Sequence, residues 1–97
     1  MTTDKDYINQ NRDMITLGKQ DVENIIQRVN RKLPQVSETN KRQFKADYIS
    51  QYGGWLIYYY NDVNRATAPA GYARISHKEA YRFFEGIEFS LDRLMGQ

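Results

Sequence analysis

The sequence predicts an all-α fold, a small up-down bundle of three to four helices with one long central helix. Apolar residues recur at three- and four-residue spacings over three long segments, which is the period of an amphipathic helix. Pro34, Pro69 and Gly71 lie between these segments, where connections between helices are expected. A chain of 97 residues is long enough for one such domain, and we assign residues 1–97 to it.

Residues 17–33 are predicted to form the first of the long helices. Its apolar positions share one helical face: Val22, Ile25, Ile26, Val29 and Leu33. Pro34 ends this helix because the proline ring does not fit a helix interior. A short additional helix over residues 4–14 is compatible with the upstream apolar residues, with a break or bend near Gly18.

Residues 39–66 are predicted to form the long central helix. Its main stripe has spacings of 4, 4, 3, 4 and 4 residues: Phe44, Tyr48, Tyr52, Trp55, Tyr59 and Val63. The stripe continues through Gly53 and Gly54, each of which costs a helix up to about 1 kcal/mol relative to alanine. A strand interpretation of WLIYYY explains its β propensity but not the spacing on both sides of the glycines. A straight helix and a helix kinked at the two glycines are both left open.

Residues 77–95 are predicted to form the last helix, after a loop over residues 66–75. Ser76 and Glu79 have the spacing of a capping box, in which each side chain accepts a hydrogen bond from the other residue's backbone. The apolar stripe has spacings of 4, 3, 4 and 3 residues: Ala80, Phe84, Ile87, Leu91 and Leu94. Phe83 and Phe89 lie off this stripe and are expected to be exposed.

The composition bounds the class of protein. The absence of cysteine excludes disulfides and thiol chemistry. No apolar run approaches the roughly 20 residues that span a bilayer. The polar N-terminus predicts a soluble, cytoplasmic protein, or one in an organelle or the thylakoid lumen if a targeting segment was removed. Eight tyrosines favour a shallow core, either that of a small bundle or one that is completed against another molecule.

A basic cluster is the clearest surface feature, although the net charge is only +2. We call it the basic end, and it comprises Arg28, Arg31, Lys32, Lys41, Arg42 and Lys45. The turn at Pro34 is predicted to bring the six residues to one end of the bundle. Such a cluster suits phosphates, anionic head groups or an acidic protein surface.

Acidic residues and the single histidine do not predict a catalytic or metal site. Glu85, Glu88 and Asp92 share one side of the last helix, where Arg82 and Arg93 are their expected partners. His77 has no carboxylate at metal-ligand spacing and no assignable nucleophile beside it. We therefore expect no metal, no cofactor and no enzyme activity.

The three consecutive tyrosines, residues 58–60, are candidates for a stacking platform for bases. In a helix, consecutive side chains point about 100° apart, so the three cannot form one flat surface. We expect Tyr59 in the core, Tyr60 at its edge and Tyr58 pointing outward.

The leading functional hypothesis is a non-enzymatic accessory protein that docks on a larger protein or complex. The contacts would come from the basic end and from outward aromatic residues: Trp55, Tyr58, Tyr72, Phe83 and Phe89. The alternative is a nucleic-acid-binding module that uses the same basic end. Association between copies of the chain is compatible with either hypothesis.

One stretch resembles a known family. KADYISQY, residues 45–52, resembles a segment of the small helical assembly and extrinsic proteins of photosystem II, and DVENIIQRVNRKL and FFEGIEFSLDRL fit the order of their helices. The resemblance implies a four-helix bundle that serves as a photosystem II-associated subunit in the thylakoid lumen. The region after Tyr52 is shorter than the family's loop and third helix, and no functional residue is transferred.

Overall fold

The computed structural model describes residues 17–95, and their fold is α+β rather than an all-α bundle. The elements follow one another as α1 (Lys19–Lys32), β1 (Gln43–Ile49), β2 (Gly54–Tyr60), β3 (Ala66–Thr67) and α2 (His77–Met95). The strands form one antiparallel sheet in the order β1-β2-β3. The prediction of a bundle of three to four helices is therefore wrong. The predicted helix over residues 4–14 lies outside the described residues.

Helix α1 occupies the place of the predicted helix over residues 17–33. The backbone N–H of Gly18 donates to the Asp21 carboxylate at 2.9 Å, which satisfies a donor at the helix N-terminus. The apolar stripe forms the buried face: Val22, Ile25, Ile26 and Val29. Leu33 has an extended backbone because the proline that follows it disfavours helical geometry.

The predicted central helix over residues 39–66 is instead a β-hairpin. In the register of β1 and β2, Phe44 lies opposite Tyr59 and Tyr48 lies opposite Trp55. A spacing of four residues fits a helix, but it also equals two strand repeats and so keeps side chains on one face of a strand. The spacing could not distinguish the two structures, and the β propensity of WLIYYY indicated the correct one.

The two glycines make the turn of this hairpin. Gly53 closes the 3₁₀ turn Ser50–Tyr52 in the left-handed region, with a φ of 84°. Gly54 has a φ of 131°, and a Cβ at this position would overlap the backbone oxygen of Ile75. Both positions therefore require glycine for backbone reasons.

The third strand is short and interrupted. Thr67 pairs with Tyr59, and after an excursion of the chain Ile75 pairs with Trp55 through two backbone hydrogen bonds of 2.8 and 2.9 Å. The predicted loop over residues 66–75 thus contains two points of contact with β2. These contacts return the chain to the sheet immediately before α2 begins.

Helix α2 begins with the predicted capping box. The Ser76 backbone N–H donates to Glu79 Oε1 at 3.0 Å, and the Glu79 N–H donates to Ser76 Oγ at 3.1 Å. The first of these bonds is the main reason that the pKa of the Glu79 carboxyl is lowered. Ala80 and Phe84 of the predicted stripe are fully buried.

The two helices lie on one face of the sheet, and their buried residues form the core with Phe44, Trp55 and Ile57. The opposite face, which we call the outer face, is covered by no helix of the described part of the chain. By the register it carries Gln43, Lys45, Asp47, Ile49, Leu56, Tyr58 and Tyr60.

The four-helix bundle that the photosystem II resemblance implies is not the observed fold. KADYISQY lies in β1 and the 3₁₀ turn that follows, rather than in a helix. Neither helix between residues 17 and 95 is long and apolar enough to cross a membrane.

Candidate functional site: a groove beside the edge of a strand

An open groove of about 420 Å³ lies between α1 and the edge of β1. One wall is formed by α1 residues at helical spacing, and these are Gln20, Glu23, Ile26 and Gln27. The sheet contributes Lys45, Ala46 and Trp55. The groove therefore has an apolar floor with a polar rim, which is the usual composition of a binding cleft.

The edge of β1 that borders this groove carries backbone groups directed away from β2. Phe44 shows the direction, because its N–H and C=O both bond the side chain of Asn30 in α1 rather than β2. Since backbone direction alternates along a strand, the N–H and C=O of Ala46 and Tyr48 face the same side. Neither residue has a hydrogen-bond partner for these groups within residues 17–95.

The electrostatic character of the groove comes from Glu23. This residue is half-buried on the α1 wall and forms no ion pair with any other described residue. The ammonium of Lys45 lies 5.3 Å from the centroid of the Tyr60 ring, which belongs to the outer face. The groove is thus lined by the Glu23 carboxylate, by Lys45, whose ammonium is near Tyr60, and by neutral polar groups, with apolar atoms below.

An aromatic cluster stands at the end of the groove near the helix N-termini. The buried Trp55 indole donates from Nε1 to His77 Nδ1 at 2.9 Å, so His77 carries no proton at Nδ1 when it accepts this bond. The His77 ring stacks on Tyr48 with centroids 4.9 Å apart, and the Lys19 ammonium lies 5.7 Å from the Tyr48 centroid. The position of His77 is explained by this packing.

The basic end is divided among several partners. Arg28 forms a bidentate ion pair with Glu88, with N–O distances of 3.0 and 3.1 Å. Lys32 forms ion pairs with both Glu88 and Asp92. Arg42 lies 3.7 Å from Asp62 and also donates to the Pro34 carbonyl. Arg31 and Lys41 are exposed, while Lys45 lies on the strand. Three of the six predicted binding residues therefore have acidic partners within the chain.

The ion cluster between the helices corrects the expected pairing of the acidic face. The partners of Glu88 and Asp92 are on α1 and not Arg82 or Arg93 of their own helix. The Arg28 guanidinium is the main reason that the pKa of Glu88 is lowered to about 2, and the same bond raises the pKa of Arg28. The pKa of Lys32 is raised, chiefly by its bond to Asp92. Arg28 pairs with Glu88, and Lys32 pairs with Asp92, each four residues further along its helix. The paired positions advance in the same direction on both helices, so α1 and α2 run parallel.

The predicted outward aromatic residues differ in how exposed they are in the structure. The prediction for Trp55 is wrong, because it is only 2% exposed and belongs to the core. Phe83 is half-buried against Phe44 and Phe84. Tyr72 and Phe89 are exposed, and the Arg93 guanidinium lies 5.8 Å from the Phe89 ring centroid.

The three tyrosines at residues 58–60 lie in a strand, so the prediction from a helix that no two of them share a face is wrong. In β2, Tyr58 and Tyr60 are two residues apart and lie on the outer face, while Tyr59 packs on Phe44 with ring centroids 4.8 Å apart. Lys45 is directly opposite Tyr58 in the register. The outer face thus offers two tyrosines and a cation side by side.

Sequence reasoning missed Asn30, Glu23 and the Ala46 edge. One signal for β1 was present, since Phe44, Ala46 and Tyr48 alternate with Gln43, Lys45 and Asp47 in a period of two. Nothing local distinguished Asn30 from the other polar residues of its helix. Its partner is fourteen residues away, so the bond depends on tertiary structure.

Residues 17–95 contain no group of three or more metal-ligating side chains. Comparisons with protein-family models, curated proteins and solved structures found no match to this chain. The function that the photosystem II resemblance implies therefore stays a prediction. The four-helix fold that it implies is not the observed one.

Proposed function

We propose that the protein is a non-enzymatic adaptor that docks on a larger protein. The observation that supports this proposal is the groove beside β1, where backbone groups with no partner among residues 17–95 adjoin an apolar floor that includes Ala46 and Trp55. An exposed strand edge is a template for pairing with another chain unless something covers it. The half-buried tyrosines of the outer face add apolar area that a partner could cover.

The docking proposal is tested by capture from cells of the source organism with tagged protein at low and high salt. We expect one protein partner in constant ratio that survives high salt, because apolar contacts are not screened. The purified partner should then bind the purified chain in a calorimeter. The proposal is wrong if the purified components do not bind each other.

A second candidate function is binding of single-stranded nucleic acid on the outer face. It is favoured by Tyr58 and Tyr60 on one face of β2, with Lys45 against the Tyr60 ring. Proteins that bind single strands combine stacking aromatic residues with cations, and each stacked base contributes about 1–3 kcal/mol. This surface differs from the basic end, because Lys45 is the only residue of the basic end that the strand register places on the outer face.

Fluorescence anisotropy with labelled oligothymidylate and oligouridylate tests the second candidate. We expect binding that weakens with salt and falls at least about fivefold in Tyr58→Ala, from the lower limit of the stacking energy. Tyr72→Ala is the matched control, because Tyr72 is an exposed tyrosine in the loop before α2 and belongs to no strand of the sheet. Equal losses in both variants would exclude the stacking surface.

A further inference from the structure

The edge of β1 has a defined length. Asn30 holds the N–H and C=O of Phe44 at 2.7 and 3.0 Å, so this residue cannot also pair with an added strand. At the other end, β1 stops at Ile49, where the 3₁₀ turn begins. The backbone groups available for pairing are therefore those of Ala46 and Tyr48.

The groove provides the space that an added strand would occupy. Strands pair at about 4.8 Å, and side chains of the added strand would alternate between the two faces of the sheet. One set would point to the face of the sheet that the helices cover, where Ile26 and Trp55 contribute to the apolar floor of the groove. The other set would reach the outer face next to Lys45 and Asp47.

Pairing with a second copy of the chain is disfavoured by the same residues. If Ala46 paired with Tyr48 of the other copy, the Asp47 residues of both copies would lie directly opposite each other, where like charges are destabilising. The Arg74 guanidinium that binds each Asp47 at 3.0 Å offsets part of this repulsion. If Ala46 paired with Ala46, the next pair would need the backbone groups of Phe44 that Asn30 already holds.

We infer that the groove binds an extended peptide segment of the partner by strand addition to β1, an inference that rests on the proposed docking function. The peptide pairs its backbone with Ala46 and Tyr48 and places an apolar side chain on the floor beside Ile26. A lysine or arginine of the peptide lies opposite Glu23, which has no other ion-pair partner among the described residues. Backbone pairing supplies affinity, and alternate side chains supply specificity.

Selection from a phage-displayed library of short random peptides supplies the probe. We expect selected sequences with alternating apolar residues, a basic residue and no central proline. The best peptide is then synthesised in two forms, one unmodified and one N-methylated at its central amides. N-methylation removes the donors for pairing, so we expect at least about tenfold weaker binding from the loss of hydrogen bonds.

Two protein variants test the protein side of the contact. Ala46→Pro removes an edge N–H that β2 does not use, and proline is accepted on edge strands. Glu23→Lys reverses the charge of the wall and leaves the backbone unchanged, so it remains informative if Ala46→Pro does not fold. We expect both variants to weaken binding about tenfold or more, whereas Glu85→Lys, a matched charge reversal at an exposed position of α2 outside the groove, retains it. Hydrogen exchange should show protection of the Ala46 and Tyr48 amides when peptide binds.

Three outcomes would overturn strand addition: no selected peptide binds in solution, N-methylation and Ala46→Pro leave affinity unchanged, or a dimer of the chain occupies the edge. If purified full-length partner still binds the groove variants but not an outer-face variant, strand addition is wrong and docking stands. If no protein partner binds at all, the proposed function itself is wrong.

Discussion

The side-chain amide of Asn30 bonds both backbone groups of Phe44, fourteen residues further along the chain. Its Nδ2 donates to the Phe44 carbonyl and its Oδ1 accepts from the Phe44 N–H. A side-chain amide has one donor side and one acceptor, so Asn30 does for Phe44 what a neighbouring strand would do. This contact attaches α1 to the sheet, and beyond it no other residue of the described part of the chain pairs with the edge of β1.

Asn30→Ala should lower the free energy of unfolding by about 1–3 kcal/mol, because two part-buried backbone groups lose their partner. Urea denaturation followed by circular dichroism measures this change. Asn24→Ala is the matched control on the same helix, since Asn24 is exposed and only accepts a bond from Gln20. The control should change stability by less than about 0.5 kcal/mol. Equal effects of the two substitutions would contradict the bridging role.

Gly54→Ala should destabilise the protein by about 2–4 kcal/mol, because the φ of 131° is unfavourable for alanine and the new Cβ would overlap Ile75. Gly86→Ala is the opposite case, with open space around the added Cβ in α2. It should raise the stability by about 0.5–1 kcal/mol. Thermal unfolding of both variants provides the comparison. A Gly54→Ala protein as stable as the wild type would be incompatible with this hairpin.

His77→Ala should destabilise the protein by about 1–3 kcal/mol, because the indole N–H of the buried Trp55 would lose its acceptor. Trp55 is the single tryptophan of the chain, so its fluorescence reports on this site alone. We expect a change in emission maximum in His77→Ala and none in Lys78→Ala, which alters an exposed neighbour. A purely structural role for His77 predicts no change in partner binding at temperatures where the variant is folded.

Acidification should weaken the contact between the two helices. The pKa of Glu88 is lowered in the folded state to about 2 from an ordinary value of 4.5, so the unfolded chain takes up the proton first as the pH falls. The stabilisation is complete above about pH 4.5 and is lost as the pH falls through about 2. Because the partner Arg28 is 40% exposed, solvent screening reduces the contribution to about 1–2 kcal/mol.

Urea denaturation of wild type and Glu88→Gln over this pH range measures the contribution of Glu88. The difference in unfolding free energy between the two proteins should shrink towards low pH. Glu79, whose pKa is also lowered, is present in both proteins and cancels in the difference. Glu85→Gln, an exposed change on the same helix, should have little effect at neutral pH. A difference that does not depend on pH would show that Glu88 acts by packing alone.

Local sequence signals determined the two helices. The apolar stripe from Val22 to Val29 and the capping box of Ser76 and Glu79 act within a few residues of each other, and the structure contains both. Proline after Leu33 ended the first helix for a steric reason that is also local. These features depend only on neighbours along the chain, so the sequence by itself was sufficient for them.

The tertiary structure decided the rest, because the sequence signal was ambiguous or the partners were distant. The spacing of four residues from Phe44 to Tyr48 and from Trp55 to Tyr59 satisfied a helix and a strand equally, and only pairing of β1 with β2 selected the strand. The placement of Tyr58 and Tyr60 on one face followed from that choice. The sequence predicted that Arg28 and Lys32 would contact a binding partner. In the structure both are paired with Glu88, because the parallel packing of the helices places it beside them. The groove exists because helix and strand meet there, so no local pattern could have predicted it.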